Sequence, residues 1–415
     1  MGVGTKADLG REFFATRTVA EALAGFRPGR RTPAEPVPVA GALHRVPARP
    51  VTAPHALPGF ARSTVDGYAV RAADTYGASE GLPGYLEVTG AVRMGHEPDV
   101  AVGPGTAVSM PTGGVLPPGA DAVVMVEYTQ QAMTGTIEVV RPVAPGDGVV
   151  RADEDVAAGG ELVPAGRPLR AQDLGMLSAA GVTVVAVRAR PRVTVFSTGD
   201  EVVPPGTVAL RPGQVRDATA VALAAMITQA GGEPAHGGIV PDDASALEAA
   251  LRAALPASDL IVISAGSSVG ARDETAGAVA RLGAPGIWCH GLAIKPGKPT
   301  LLADCGGVPV IGLPGNPRSA LVVFRLLGVP LVRLIGGCTT PPPEPSVRVR
   351  LARDLPSATG RLDVVQVCVS DGIATPMFGQ SALLSVLTAA DGFLIIPAEA
   401  TGLDAGSEVQ VTLYR

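Results

Sequence analysis

Arg192-Val193-Thr194-Val195-Phe196-Ser197-Thr198-Gly199-Asp200-Glu201 opens the stretch, Pro191 to Ser319, that decides the fold. An apolar run ending in a glycine-containing acidic loop reads as a buried strand that delivers its carboxyl end to a turn. The pattern recurs. Leu260-Ile261-Val262-Ile263 runs into Ser264-Ala265-Gly266-Ser267-Ser268-Val269-Gly270, and Val308-Pro309-Val310-Ile311-Gly312-Leu313 runs into Pro314-Gly315-Asn316-Pro317. Ala235 to Val240 is a further strand. Helical spacings lie between these runs. Leu223, Met226, Ile227 and Ala230 fall at i, i+3, i+4 and i+7 before the stop Gly231-Gly232. Leu247, Ala250, Leu251 and Ala254 share a face behind a cap at Asp242 or Asp243. Asn316 as N-cap and Pro317 as first helical residue start a helix running toward Gly336-Gly337. Strands alternating with helices predict a doubly wound parallel α/β/α sheet over residues 189–338. Ligands of such sheets bind outside the carboxyl ends of the strands.

Outward from this unit the chain turns β-rich. At 415 residues it is too long for one ordinary core. Short runs at Leu86–Val92, Thr106–Met110, Ala122–Met125 and Thr136–Val140, with a strand starting at Tyr68 after the turn Asp66-Gly67, predict a β-rich domain over 56–156. The flanking segments 11–55 and 157–188 hold a short helix at Val19 to Phe26, another from Leu169 to Gly181, and extended pieces. They are expected to form one discontinuous N-terminal domain into which the β-rich unit is inserted. Residues 1–10 read as disordered. Pro341-Pro342-Pro343-Glu344-Pro345 is a linker to a second β-rich domain over 339–415.

Composition narrows the function. The net charge of −5 leaves no basic surplus for a nucleic-acid footprint. No apolar run is long enough to span a bilayer, and the N-terminus has no secretory pattern, so a soluble, cytoplasmic protein is expected. Cys289, Cys305, Cys338 and Cys368 lie far apart with no metal-ligand spacing and are expected as free thiols.

The loops carry the chemistry. A Gly/Ser loop such as 265–273 is by itself a turn, but Gly266 and Gly270 let backbone N–H groups converge, and Ser267 and Ser268 add hydroxyl donors. Together they make a nest suited to an oxyanion. It is neither a P-loop nor GxGxxG. Lys295-Pro296-Gly297-Lys298-Pro299 holds two lysines on a stiff turn, and stiffened lysines lose less entropy on binding an anion. Glu201, Asp242 and Asp273 supply carboxylates. Carboxylates repel a phosphate unless a cation bridges them, so the mixture points to Mg²⁺ or a similar divalent cation. The five histidines lie in no triad-like context.

In order along the chain, six motifs resemble the molybdopterin molybdenumtransferase family, the MoeA-like proteins to which the gephyrin E domain also belongs. They are Ser63-Thr64-Val65-Asp66-Gly67-Tyr68-Ala69-Val70; Met110-Pro111-Thr112-Gly113 with Leu116 to Val124; Ser197 to Glu201; the Gly/Ser loop ending in Asp273; Lys295 to Pro299; and Leu313 to Pro317. The resemblance runs from about Thr18 to Val411. It implies four domains, with a molybdopterin-binding-like α/β domain at the centre, and a homodimer whose cleft joins the α/β domain of one subunit to the inserted domain of the other. The implied substrates are molybdate and adenylylated molybdopterin, whose adenylate is hydrolysed with Mg²⁺ and released as AMP. A molybdopterin adenylyltransferase is an implied partner; nucleic acid and membrane are not. Carried over by motif, Asp66 and Thr112 are the inserted-domain contributors. Glu201, Asp242 and Asp273 are the metal and nucleotide carboxylates, and Lys295 and Lys298 the anion-binding lysines. Gly266, Ser268, Gly270, Pro314, Asn316, Pro317, Ser319, Arg361 and Ser381 complete the substrate-binding set. The chain departs from the family pattern at Ala265, Gly291, Asp153 and Gln366, the last standing where a second arginine after Arg361 is expected. A tungstate insertase and a non-catalytic molybdopterin-binding scaffold are the alternative readings.

Overall fold

The protein is described here from a computed structural model covering residues 16–265, 269–380 and 382–414, without the side chains of 269–273. Its centre is a six-stranded sheet in the order Glu233–Val240, Arg192–Thr198, Leu260–Ser264, Val308–Leu313, Leu301–Cys305 and Pro285–His290. The four strands expected from the sequence are mutually parallel. The sheet as a whole is mixed, because Leu301–Cys305 runs antiparallel to both neighbours. Pro285–His290 and Leu301–Cys305 were not expected. The second is hairpinned to Val308–Leu313 through Gly306-Gly307, which has φ of 63° and 86°. Two consecutive left-handed residues are what a two-residue hairpin turn demands.

Side-chain alternation assigns the two faces. Val193, Val195, Leu260, Val262, Ile311 and Leu313 point to one core with Leu223 and Ile227 of helix Ala218–Gln229 and with Val322, Val323 and Val332. Phe196, Ile261, Ile263, Val310 and Ala303 point to the other, with Leu247 and Leu251 of helix Ala244–Ala254 and with Ala278 and Val279. A strand covered on both faces reads as an unbroken apolar run, and Leu260–Ser264 is buried throughout. Asp243, not Asp242, caps its helix, accepting the Ala246 N–H at 2.6 Å. Asn316 sits at the N-cap position of Pro317–Val323 but makes no side-chain cap bond. The path from there to Gly336 passes through a π-helical turn, Phe324–Gly328, before Val329–Ile335.

The segments flanking the insertion meet in space. Ala34–Pro38 pairs antiparallel with Val184–Arg188, and Val51–Thr52 with Glu161–Val163. Val39, Val163, Leu169, Leu177 and Val187 form their shared core. The inserted sheet has six strands, including Thr129–Met133, which the sequence did not reveal. Antiparallel pairing of Gly67 with Met110 fixes its register. Gly67 is required there, since a Cβ would drive into the carbonyl of Val124.

The C-terminal sheet closes on itself. Leu362–Ser370 pairs with Ile373–Met377 on one side and Gly392–Ile396 on the other. Ser346–Leu351 and Glu408–Leu413 complete a five-stranded barrel. Closure removes exposed strand edges. Val364 and Phe393 leave the barrel core and join the α/β core. Each such burial contributes about 1.5–3 kcal/mol, which makes the joint between the two units a packed one.

Candidate functional site

The joint carries the deepest chemistry. After Pro285–His290 the chain turns into a two-residue strand, Ile294–Lys295, which adds parallel to the barrel strand Leu362–Ser370, with Lys295 opposite Asp363. Asp363 is 4% exposed. Its Oδ1 accepts the Arg361 Nε at 2.9 Å, and its Oδ2 lies 3.9 Å from the Lys295 Nζ. A buried carboxylate is stable only as a paired group; Arg361 is its hydrogen-bonded partner, and Lys295, 62% exposed, is a looser one. Lys298, three residues on, is exposed and has no acidic partner among the described residues. The turn is held by Thr300, whose hydroxyl donates to the Gly297 carbonyl at 2.7 Å. Gly297 has φ of 122°, and a Cβ there would overlap Val323. No other residue fits.

These residues line a cleft of about 710 Å³ together with Ser319, Arg318, Thr359 and the segment Met377–Gly379. Among the described residues four cations, Lys295, Lys298, Arg318 and Arg361, face it against one carboxylate, Asp363. Four of the expected residues thus converge: Lys295, Lys298, Arg361 and Ser319. Pro314, Asn316 and Pro317 do not line the cleft; they form the turn between strand Val308–Leu313 and the helix that presents Ser319. Asp363 was missed, since a lone aspartate in a strand of another domain carries no motif.

A second group forms at the carboxyl ends of the parallel strands. The Asp242 N–H donates to Asp200 Oδ1 at 3.3 Å. Glu201 folds its carboxylate back over Gly199. Burial, and then the negative charges of Glu201, Asp200 and Glu274, push the Asp242 carboxyl above its usual range. Asp200 and Glu274 were not assigned from sequence. No three His, Cys, Asp or Glu side chains among the described residues converge closely enough to hold a metal unaided. The set still suits a hard cation. Mg²⁺ is commonly held by one or two carboxylates with water and substrate phosphate, and the mutual repulsion that raises Asp242 is what such an ion relieves.

The third group lies apart. Asp66 precedes Gly67 and Thr112 follows Met110, so the strand register brings them together: the Asp66 carboxylate accepts the Thr112 N–H at 2.8 Å. Both are exposed. No residue of the inserted sheet lines the 710 Å³ cleft of its own chain. Gly266 and Ser268 of the Gly/Ser loop, the side chain of Asp273, and Ser381 lie outside the described residues; Gly270 falls in the first turn of helix Val269–Ala280. The expected free cysteines are free, three of them buried. Among the described residues no helix is long and apolar enough to cross a membrane.

Fold and cleft together define a multidomain protein in which an α/β sheet meets a β-barrel over a cation-lined cleft. Three family models match the chain in order: MoeA N-terminal region (domain I and II) over residues 17–181, probable molybdopterin binding domain over 194–334, and MoeA C-terminal region (domain IV) over 348–414. Molybdopterin molybdenumtransferase 2 of Mycobacterium tuberculosis is 34% identical across 95% of this chain and 97% of its own length. Molybdopterin molybdenumtransferase of Bacillus subtilis is 32% identical, covering 90% and 88%. A crystal structure of a molybdopterin biosynthesis MoeA protein from Pyrococcus horikoshii superposes with a TM-score of 0.84 at 31% identity, covering 96% of this chain and all of that one. The chain belongs to the molybdopterin molybdenumtransferases, a transferase family of molybdenum cofactor biosynthesis.

Proposed function

We propose that the protein inserts molybdate into adenylylated molybdopterin, with Mg²⁺-dependent hydrolysis of the adenylate and release of AMP. The observation that carries this reading is the convergence of Lys295, Lys298 and Arg361 on one cleft, with Asp363 holding two of them. A dianion such as molybdate fits cations gathered in one cleft, on a stiff turn and beside a buried carboxylate, before it arrives. Lys295, Lys298, Ser319 and Arg361 bind the oxyanion. Glu201 and Asp242, with Asp273, would hold the cation that the adenylate requires. When bound, Mg²⁺ neutralises the charge of the phosphoanhydride. No nucleophile is required of the protein. An oxygen of water forms the new bond to phosphorus as the phosphoanhydride P–O bond breaks, its proton passes to solvent, and AMP leaves. The role of this chain's residues is to orient the two anions relative to each other.

The protein works as a homodimer in which Asp66 and Thr112 of one subunit complete the cleft of the other. The absence of any inserted-domain residue from the cleft supports this. The domain boundaries are those given above, and a molybdopterin adenylyltransferase supplies the adenylylated substrate. Incubation of the protein with Mg²⁺, molybdate and adenylylated molybdopterin should release AMP in step with molybdenum incorporation. Ligand binding without AMP release would instead favour a scaffold.

A further inference from the structure

Arg318 is the one cation of the cleft that neither the motifs nor the proposed reaction uses. Its guanidinium is anchored at one end, with Nη1 donating to the Gly379 carbonyl at 2.7 Å. Its Nε is fully buried and has no hydrogen-bond partner. Buried donors in folded proteins are nearly always paired, so the unpaired Nε leaves the guanidinium's charge uncompensated from the protein side. Arg318 also has no acidic partner among the described residues. The ionisable side chain that influences it is Tyr414, whose hydroxyl is pushed up to about 12 by burial and donates to Gln366 at 2.6 Å; it stays neutral and offers no counter-charge. Lys295 and Arg361, by contrast, share Asp363. The cleft therefore holds two cations that share one carboxylate and two, Lys298 and Arg318, that have none beside them among the described residues.

We infer that Arg318 is a further anion-binding residue of the cleft, giving a charge-assisted hydrogen bond to the tetrahedral oxyanion and setting its affinity. The Gly379 carbonyl holds the planar fork in one orientation, so little rotamer freedom remains to be lost on binding. With four cations against one carboxylate among the described residues the cleft keeps a positive surplus, and Lys298 and Arg318, the two with no carboxylate beside them, are free to meet a dianion. The same chemistry recognises molybdate, tungstate and sulfate, and the fork alone does not separate them. The inference rests on reading the cleft as the oxyanion site.

Calorimetric titration of the full-length protein with molybdate, and in a parallel arm with sulfate, tests it. Arg318→Gln should bind molybdate about 10- to 100-fold more weakly than wild type, the range of one charge-assisted hydrogen bond. Arg318→Lys should fall between them, because it keeps the charge and loses the fork. In turnover the loss should appear as a raised KM for molybdate with kcat largely kept. If Arg318→Gln does not fold, Arg318→Lys decides: weaker binding at an unchanged Tm supports the inference, and unchanged binding overturns it. Wild-type affinity in a folded Arg318→Gln variant overturns the inference and leaves the cleft reading standing. A wild-type protein that binds neither anion overturns both. Sulfate bound as tightly as molybdate, and weakened equally in the variant, supports an oxyanion fork that discriminates by charge alone.

Discussion

The cationic cleft and the carboxylate group at the strand ends solve opposite electrostatic problems in opposite ways. In the cleft, Asp363 is buried between Lys295 and Arg361, and the positive charges are held where they are. At the strand ends Asp200, Glu201, Asp242 and Glu274 bear on one another without a cation among the described residues, and Asp242 pays in a raised affinity for protons. The first region is organised before its ligand arrives. The second, on the proposed function, is organised by the cation it binds. Removing a group from the first should therefore damage structure and binding together, whereas removing one from the second should spare the fold and abolish the chemistry.

The largest effect is expected at the carboxylates. Asp242→Ala should lower AMP release by about 10³-fold with the Tm kept or slightly raised, since a repelled charge is removed; rates followed by chromatography of AMP and a thermal melt check both halves. Asp363→Asn leaves Lys295 and Arg361, both partly exposed, without their counter-charge. It should destabilise the protein by roughly 1 kcal/mol and weaken molybdate binding at least tenfold, measured by urea unfolding and titration. A variant as stable as wild type would erase the contrast between the regions. Gly297→Ala forces a Cβ into Val323 at a left-handed φ, so the lysine turn must shift; about a tenfold loss of molybdate affinity is expected, with circular dichroism unchanged.

The smallest effect is on pH. The folded-state pKa of Asp242 is raised above its ordinary value of 3.8, so the folded chain binds more protons than the unfolded one in the window just above that value. The contribution of this group to stability is fully present below the ordinary value and is lost as pH rises through the raised one. Tm in Mg²⁺-free buffer should fall by no more than about 2 °C across that window, and Mg²⁺ should restore it. Mg²⁺ affinity should rise with pH over the same range, as measured by titration.

What could be read from sequence follows how local each signal is. Leu260–Ile263 and Val308–Leu313 are apolar throughout, and the helices behind Thr219 and Asp243 carry regular spacings, so the parallel core was legible. Pro285–His290 mixes Gly286, Trp288 and His290 without alternation and was not. Leu301–Cys305 could have been found from Gly306-Gly307, a two-residue hairpin turn between apolar runs. Lys295 and Lys298 stand out because proline and glycine surround them. Asp363 does not, because its role arises only when Ile294–Lys295 pairs with a strand of the barrel. Arg318 sits between the motif Leu313–Pro317 and Ser319, outside both, and only its orphaned Nε sets it apart. Non-local pairing and desolvation leave no trace in a single sequence.

The central claim is that each chain holds a complete cationic cleft and an incomplete active site, finished by Asp66 and Thr112 of a second copy. Subunit mixing tests it directly. Asp66→Ala and Lys298→Ala should each be inactive alone. After dissociation and random reassociation, about a quarter of the clefts would combine an intact lysine turn with an intact Asp66, and AMP release should recover to about that share of the wild-type rate. Recovery is the predicted result. A mixture that stays at background, with subunit exchange confirmed by differently tagged chains, would contradict the shared site.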